Sequence, residues 1–146
     1  MKISLILCLC VVSIGCSRSF RNYELDDHSF TAADLQTVQE RTGIQLPTGS
    51  RGLNLYYNQP QFHPSFIAKI EIPTNTIDSV ARQMERIPNE DYHFTNSISE
   101  KMSWWNPSNS EGAIKRQFVL THSGFVDIQI CKETNRWLFY AYWDAD

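Results

Sequence analysis

The C-terminal third of the chain constrains the fold most. Gln117–Thr121 and Phe125–Cys131 are apolar-rich runs separated by His122-Ser123-Gly124. Glycine there supplies the positive φ that a tight hairpin loop needs. Lys132–Asn135 makes a second turn into Arg136–Trp143, so these three runs predict an antiparallel meander. A meander has an apolar face that must be covered, and the rest of the chain has to supply the cover.

Upstream, two further runs read as strands. In Gly52–Tyr57, Leu53, Leu55 and Tyr57 alternate against Asn54 and Tyr56. In the second, Phe66, Ala68, Ile70 and Ile72 alternate against Ile67, Lys69 and Glu71, which predicts a half-buried strand ended by Pro73. Two segments have helical spacing. Thr31 can cap a helix with Asp34 in its first turn, Leu35 and Val38 on its apolar face (with Ala32 or Thr42), and Gly43 as its stop. A second helix is expected from about Thr76 to Ile87, with Ile77, Val80, Ala81, Met84 and Ile87 on one side and Pro88 at its end. Residues 88–115 are irregular and polar apart from Trp104 and Trp105. The expectation is an α+β domain: an antiparallel sheet of about five strands, two helices on one face, and a C-terminal three-strand meander. No internal repeat is visible.

The other end of the chain concerns location. Lys2 precedes an apolar stretch from Ile3 to Ile14 that only Ser4 and Ser13 interrupt. That length suits a signal-peptide core and is too short to cross a bilayer core of about 30 Å as a helix. The stretch closes on Ser13-Ile14-Gly15-Cys16, which resembles the lipobox of bacterial lipoproteins. Gly15 and Cys16 match at the two most demanding positions; Ser13 departs from the usual leucine. The resemblance implies that residues 1–15 are a signal peptide and that Cys16 carries lipid through its sulfur. Several acyl chains make a stable anchor where one would be marginal. Residues 16–30 then form a lipidated cysteine and polar tether, and 31–146 a single domain. Ser17 after the cysteine resembles outer-membrane lipoproteins, which implies the periplasmic face of the outer membrane in a cell with two membranes.

The body has a resemblance of its own. Thr42-Gly43-Ile44-Gln45-Leu46-Pro47, Gly52-Leu53-Asn54-Leu55-Tyr56-Tyr57, Phe66-Ile67-Ala68-Lys69-Ile70 and the closing Tyr140-Ala141-Tyr142-Trp143 look like small uncharacterised bacterial lipoproteins. This implies the cell envelope and transfers no catalytic residue.

Charge and cysteines narrow the function classes. The net charge is −3, and Lys2 is the only charge in residues 1–15, so the mature chain is slightly more acidic. With no basic stripe, neither nucleic acid nor an anionic lipid surface is an expected partner. Cys8 and Cys10 leave with the leader and Cys16 takes the lipid, so Cys131 remains in the body and no disulfide framework is expected. His28, His63, His93 and His122 lack metal-ligand spacing, and HExxH and CxxC are absent, so neither a metal nor another cofactor is expected.

Candidate binding residues are aromatic. Trp104-Trp105-Asn106-Pro107 lies in the least regular segment, where indole rings serve either as stacking surfaces for sugars and protein anchors or as plugs for an open sheet face. Tyr56 beside Tyr57, with Phe62 and His63, poses the same choice. The charges Arg82, Glu85, Arg86, Glu90 and Asp91 read as a solvated helix surface. The functional expectation is a membrane-anchored, non-enzymatic envelope lipoprotein that binds another macromolecule, with an immunity-type protein as one form. The alternatives are a carbohydrate-contacting module using Trp104 and Trp105, or a small hydrolase using Cys131 or Ser123 with a histidine. No G-x-S-x-G, SxxK or phosphate loop supports the last of these.

Overall fold

A computed structural model of the protein describes residues 22–60, 63–92, 98–107, 112–121 and 124–145. In chain order the elements are β1 (Tyr23–Asp26), α1 (Ala32–Thr42), β2 (Arg51–Asn58), β3 (Ser65–Ile72), α2 (Ile77–Glu85), β4 (Ile114–Leu120), β5 (Gly124–Glu133) and β6 (Arg136–Asp144). Short 3₁₀ turns occupy Thr74–Thr76 and Ser99–Lys101. All neighbouring strands are antiparallel, in the order β1-β2-β3-β6-β5-β4. The α+β class, the two helices and the meander β4-β5-β6 are as the periodicity indicates.

The sixth strand is the one not foreseen. Tyr23–Asp26 lies within the stretch expected to be tether. It enters the sheet as edge strand β1, pairing Tyr23 with Tyr57 and Leu25 with Leu55. Its two apolar residues alternate correctly, but four residues are too few for periodicity to stand out against polar neighbours. The folded domain therefore begins before residue 31.

Local chemistry explains the helix ends. Asp34 N donates to Thr31 Oγ1, and Thr31 N donates to Asp34 Oδ2 at 2.8 Å, which closes a capping box. Gly43 takes the left-handed conformation (φ 70°), and its N–H donates to Gln39 O at 2.8 Å. Gln83 of α2 then binds the segment after α1: its Oε1 accepts from Gln45 N and its Nε2 donates to Gln45 O, both at 2.9 Å.

The principal core lies between the sheet and both helices. Val38, Ile44, Val80 and Met84 pack on Leu55, Phe66, Ala68, Ile70, Phe118, Val126, Ile128, Phe139 and Trp143. One cross-strand row spans the whole sheet: Tyr23, Tyr57, Phe66, Trp143, Val126 and Phe118. Its first four rings are stacked pairwise, with centroids 5.3, 6.3 and 5.6 Å apart, and the Arg41 guanidinium lies 4.5 Å from the Trp143 ring centroid.

Alternation fails at one point in β2. A bulge between Gly52 and Asn54 shifts the register, so Leu53 and Leu55 face opposite sides. Leu53 packs with Cys131, Leu138 and Tyr140 on the face away from the helices. Phe30 fills the space above Gly52, whose missing side chain makes room: a Cβ there would sit 2.1 Å from Phe30 Cγ.

Candidate binding surface

The face away from the helices is built from the alternate residues of the same strands. From β3 it receives Ile67 and Lys69, from β5 Phe125, Asp127, Gln129 and Cys131, and from β6 Leu138, Tyr140 and Tyr142. Alternation sets Ile67 with Lys69 and Glu71 on the less apolar side of a half-buried strand. Ile67 is fully buried, because a strap of non-strand chain, residues 98–107, crosses this side. Ile98, Met102, Trp104 and Trp105 of the strap pack with Tyr56 against Ile67, Phe125 and Tyr142.

The two tryptophans use different parts of their rings. Trp104 Nε1 donates to Glu24 Oε1 on β1 at 2.9 Å. Trp105 meets Tyr140 edge-on at 5.3 Å between centroids. The indoles themselves are 6.2 Å apart at 70°. Both are half-buried. Tyr56, Trp104 and Trp105 are therefore brought together over one patch of sheet. His63 is exposed at the sheet end, with Nδ1 3.4 Å from Ala145 O. Phe62 lies outside the described residues, as do Cys16, Ser123, His93 and His122.

Beside the strap is a polar cluster that sequence reading missed. Tyr140 Oη donates to Glu133 Oε1 at 2.6 Å, and Lys69 Nζ reaches Glu133 Oε2 at 3.2 Å. That ammonium also stands 5.1 Å from the Tyr140 ring centroid. Further along β6, Tyr142 Oη donates to Asp144 Oδ2 at 2.6 Å. Asp127 accepts from Gln117 at 2.7 Å and pairs with Lys115 at 3.1 Å. Burial pushes both phenols well above the ordinary tyrosine range, and the carboxylate that each one serves adds to the shift. They are held as neutral donors, and Glu133 is matched by a cation. The missed signal was β6 itself: Tyr140 and Tyr142 share one parity, and Phe139, Ala141 and Trp143 the other. Both parities are rich in large apolar or aromatic residues, and periodicity alone does not say that the tyrosine face carries carboxylate partners.

Two shallow hollows flank the sheet. One, of about 420 Å³, is lined by Tyr23, Ala33, Asp34, Thr37, Tyr57 and Gln59. The other, of about 410 Å³, is mostly apolar and includes Ile87, Pro88, Phe118, Val119 and Leu120. Cys131 is fully buried on β5 between Leu138 and Tyr140, inside the sheet's second face and away from both hollows. Among the described residues no group of three or more histidine, cysteine or acidic side chains is placed to hold a metal ion. No protein-family model, curated protein or solved structure matches the chain.

Proposed function

We propose that the protein is a lipid-anchored envelope protein whose α+β domain binds another macromolecule without transforming it. The observation that carries this reading is the apolar leader closing on Ser13-Ile14-Gly15-Cys16, followed within a few residues by a folded domain. No described helix is long and apolar enough to cross a membrane. Attachment is then the work of acyl chains on Cys16. The binding role is supported by the half-buried aromatic patch that Tyr56, Trp104 and Trp105 form over the sheet.

Mass spectrometry of the mature N-terminal peptide tests the anchor. A lipid-modified Cys16 is the expected result, and Cys16→Ser is expected to leave an unprocessed precursor or release the protein from membranes with its fold intact. An unmodified N-terminus at Ser17 or beyond, on a protein in the soluble fraction, overturns the reading. Crosslinking in intact cells tests the binding role, with a specific envelope macromolecule as the expected product. Recovery of the anchored protein uncrosslinked would remove that part of the proposal.

A further inference from the structure

Resting on the lipid anchor just proposed, we infer that one end of the sheet docks on the bilayer surface. This is the end at which β1 begins, β4 finishes and β5 starts. Three large apolar or aromatic side chains stand out as exposed among the described residues: Tyr23 (42%), Tyr92 (40%) and Val119 (43%). All three belong to that end. Tyr23 opens β1 and shares the cross-strand row that ends on Phe118. Val119 follows Phe118 and pairs with Phe125, and Tyr92 meets the Phe125 ring edge-on at 5.4 Å. The opposite end presents charge instead: Arg51 and Arg136 on Glu71, with Asp27 near Arg51.

The occupant follows from the chain. Six residue steps separate Cys16 from Asn22, the residue before β1. Fully extended, they reach about 20 Å, less than the roughly 30 Å length of a nine-residue strand. The end through which the chain enters is therefore the end held nearest the acyl chains. Tyrosine is suited to that zone, with an apolar ring and a polar tip at the headgroup level. The apolar hollow bordered by Val119, Leu120, Ile87 and Pro88 extends the same corner. Charge does not drive the contact: Glu90 lines that hollow, and Asp34, Asp91 and Asp144 accompany Arg41 and His63 at this end, so the fit is to the apolar–polar boundary and not to anionic headgroups.

The test uses the full mature protein, extracted from membranes and reconstituted in phosphatidylcholine vesicles. Single spin labels are placed by Val119→Cys and by Tyr92→Cys at the docking end. Asn135→Cys reports the far end, in the β5–β6 turn. Cys131 is fully buried, which keeps background labelling low. Positions 92 and 119 are expected to be about threefold less accessible to a water-soluble nickel chelate than position 135, with the same ratio when phosphatidylglycerol is added. Equal accessibility at both ends, on vesicle-bound protein with lipidated Cys16, overturns the docking and leaves the anchor standing. Protection that appears only with phosphatidylglycerol overturns the aromatic basis of the contact. Unmodified Cys16 with no vesicle association overturns the anchor and the docking together.

Discussion

The two faces of the sheet are covered in different ways. On one, helices α1 and α2 meet their own backbone hydrogen-bond requirements and lay apolar stripes on the strands. On the other, a strap with only a short 3₁₀ turn is held by side chains: an indole N–H on Glu24, an indole edge on Tyr140, and a methionine and an isoleucine over Ile67. The helix face draws its stability from area removed from water, at about 25 cal/mol per Å². The strap face adds phenol–carboxylate and lysine–carboxylate bonds, each worth less but directional. A cover held through side chains should open locally at lower cost than one built of helices.

Breaking the helix face should have the largest effect. Trp143 is 1% exposed, between Phe66 and the Arg41 guanidinium. Trp143→Ala is expected to cost about 3–5 kcal/mol in urea unfolding. A loss below about 1 kcal/mol would mean that this face is not the one that holds the fold.

The strap face should reveal itself at high pH. The folded pKa values of Tyr140 and Tyr142 lie above the ordinary value near 10. Above pH 10 the unfolded chain releases these protons while the native protein keeps them. Stability is therefore fully present below pH 10 and falls above it, by up to about 1.4 kcal/mol per pH unit for each tyrosine. Tyr140→Phe with Tyr142→Phe should flatten that decline while costing about 1–2 kcal/mol per hydroxyl at neutral pH. An alkaline profile unchanged in the double variant would place the titration elsewhere.

A smaller change separates the covers. Trp104→Phe removes the bond to Glu24 and is expected to cost about 1 kcal/mol. Amide exchange should rise in residues 98–107 while α1 and α2 keep their protection; a uniform rise would show one cooperative unit instead of two covers. The smallest effect is a control that belongs to neither face. Thr134, in the two-residue β5–β6 turn, has φ 56°, an uncommon conformation for a β-branched residue. Thr134→Gly should stabilise by about 0.5–1 kcal/mol without changing the alkaline slope. A destabilised variant would mean that the Thr134 side chain does more than strain the turn.

The helix face was largely legible because its rules are local. Thr31, Asp34 and Gly43 announce α1, Pro88 closes off α2, and odd–even alternation identifies Phe139, Ala141 and Trp143 as partners. The strap face was not, because it depends on pairings distant in sequence. Trp104 finds Glu24 eighty residues away, and Lys69 finds Glu133 sixty-four residues away. Nothing near Ile67 says that chain thirty residues later will cover it. The bulge in β2 made alternation misleading at Leu53. Trp104, Trp105 and Tyr56 were recognisable as a set of aromatics, but their sharing one patch needed the strand order.

The strand order also bears on how the chain comes together as it is made. β1-β2-β3 and β6-β5-β4 are each formed from consecutive strands, and the two triplets meet only along β3 and β6. That seam pairs Ser65 with Asp144 and Ile72 with Trp137, contacts that join residues more than sixty positions apart. During synthesis the N-terminal triplet emerges first, and the hydrogen-bonding edge of β3 stays without its neighbour until β6 has been made. Its Ser-Phe-Ile-Ala-Lys-Ile-Glu-Ile sequence is rich in strand-forming residues and is interrupted by one lysine and one glutamate. Until β6 arrives, that edge is a template for pairing with another nascent copy. Lys69 and Glu71 are the charges placed to discourage it, and a chain truncated before Arg136 would keep the hazard permanently.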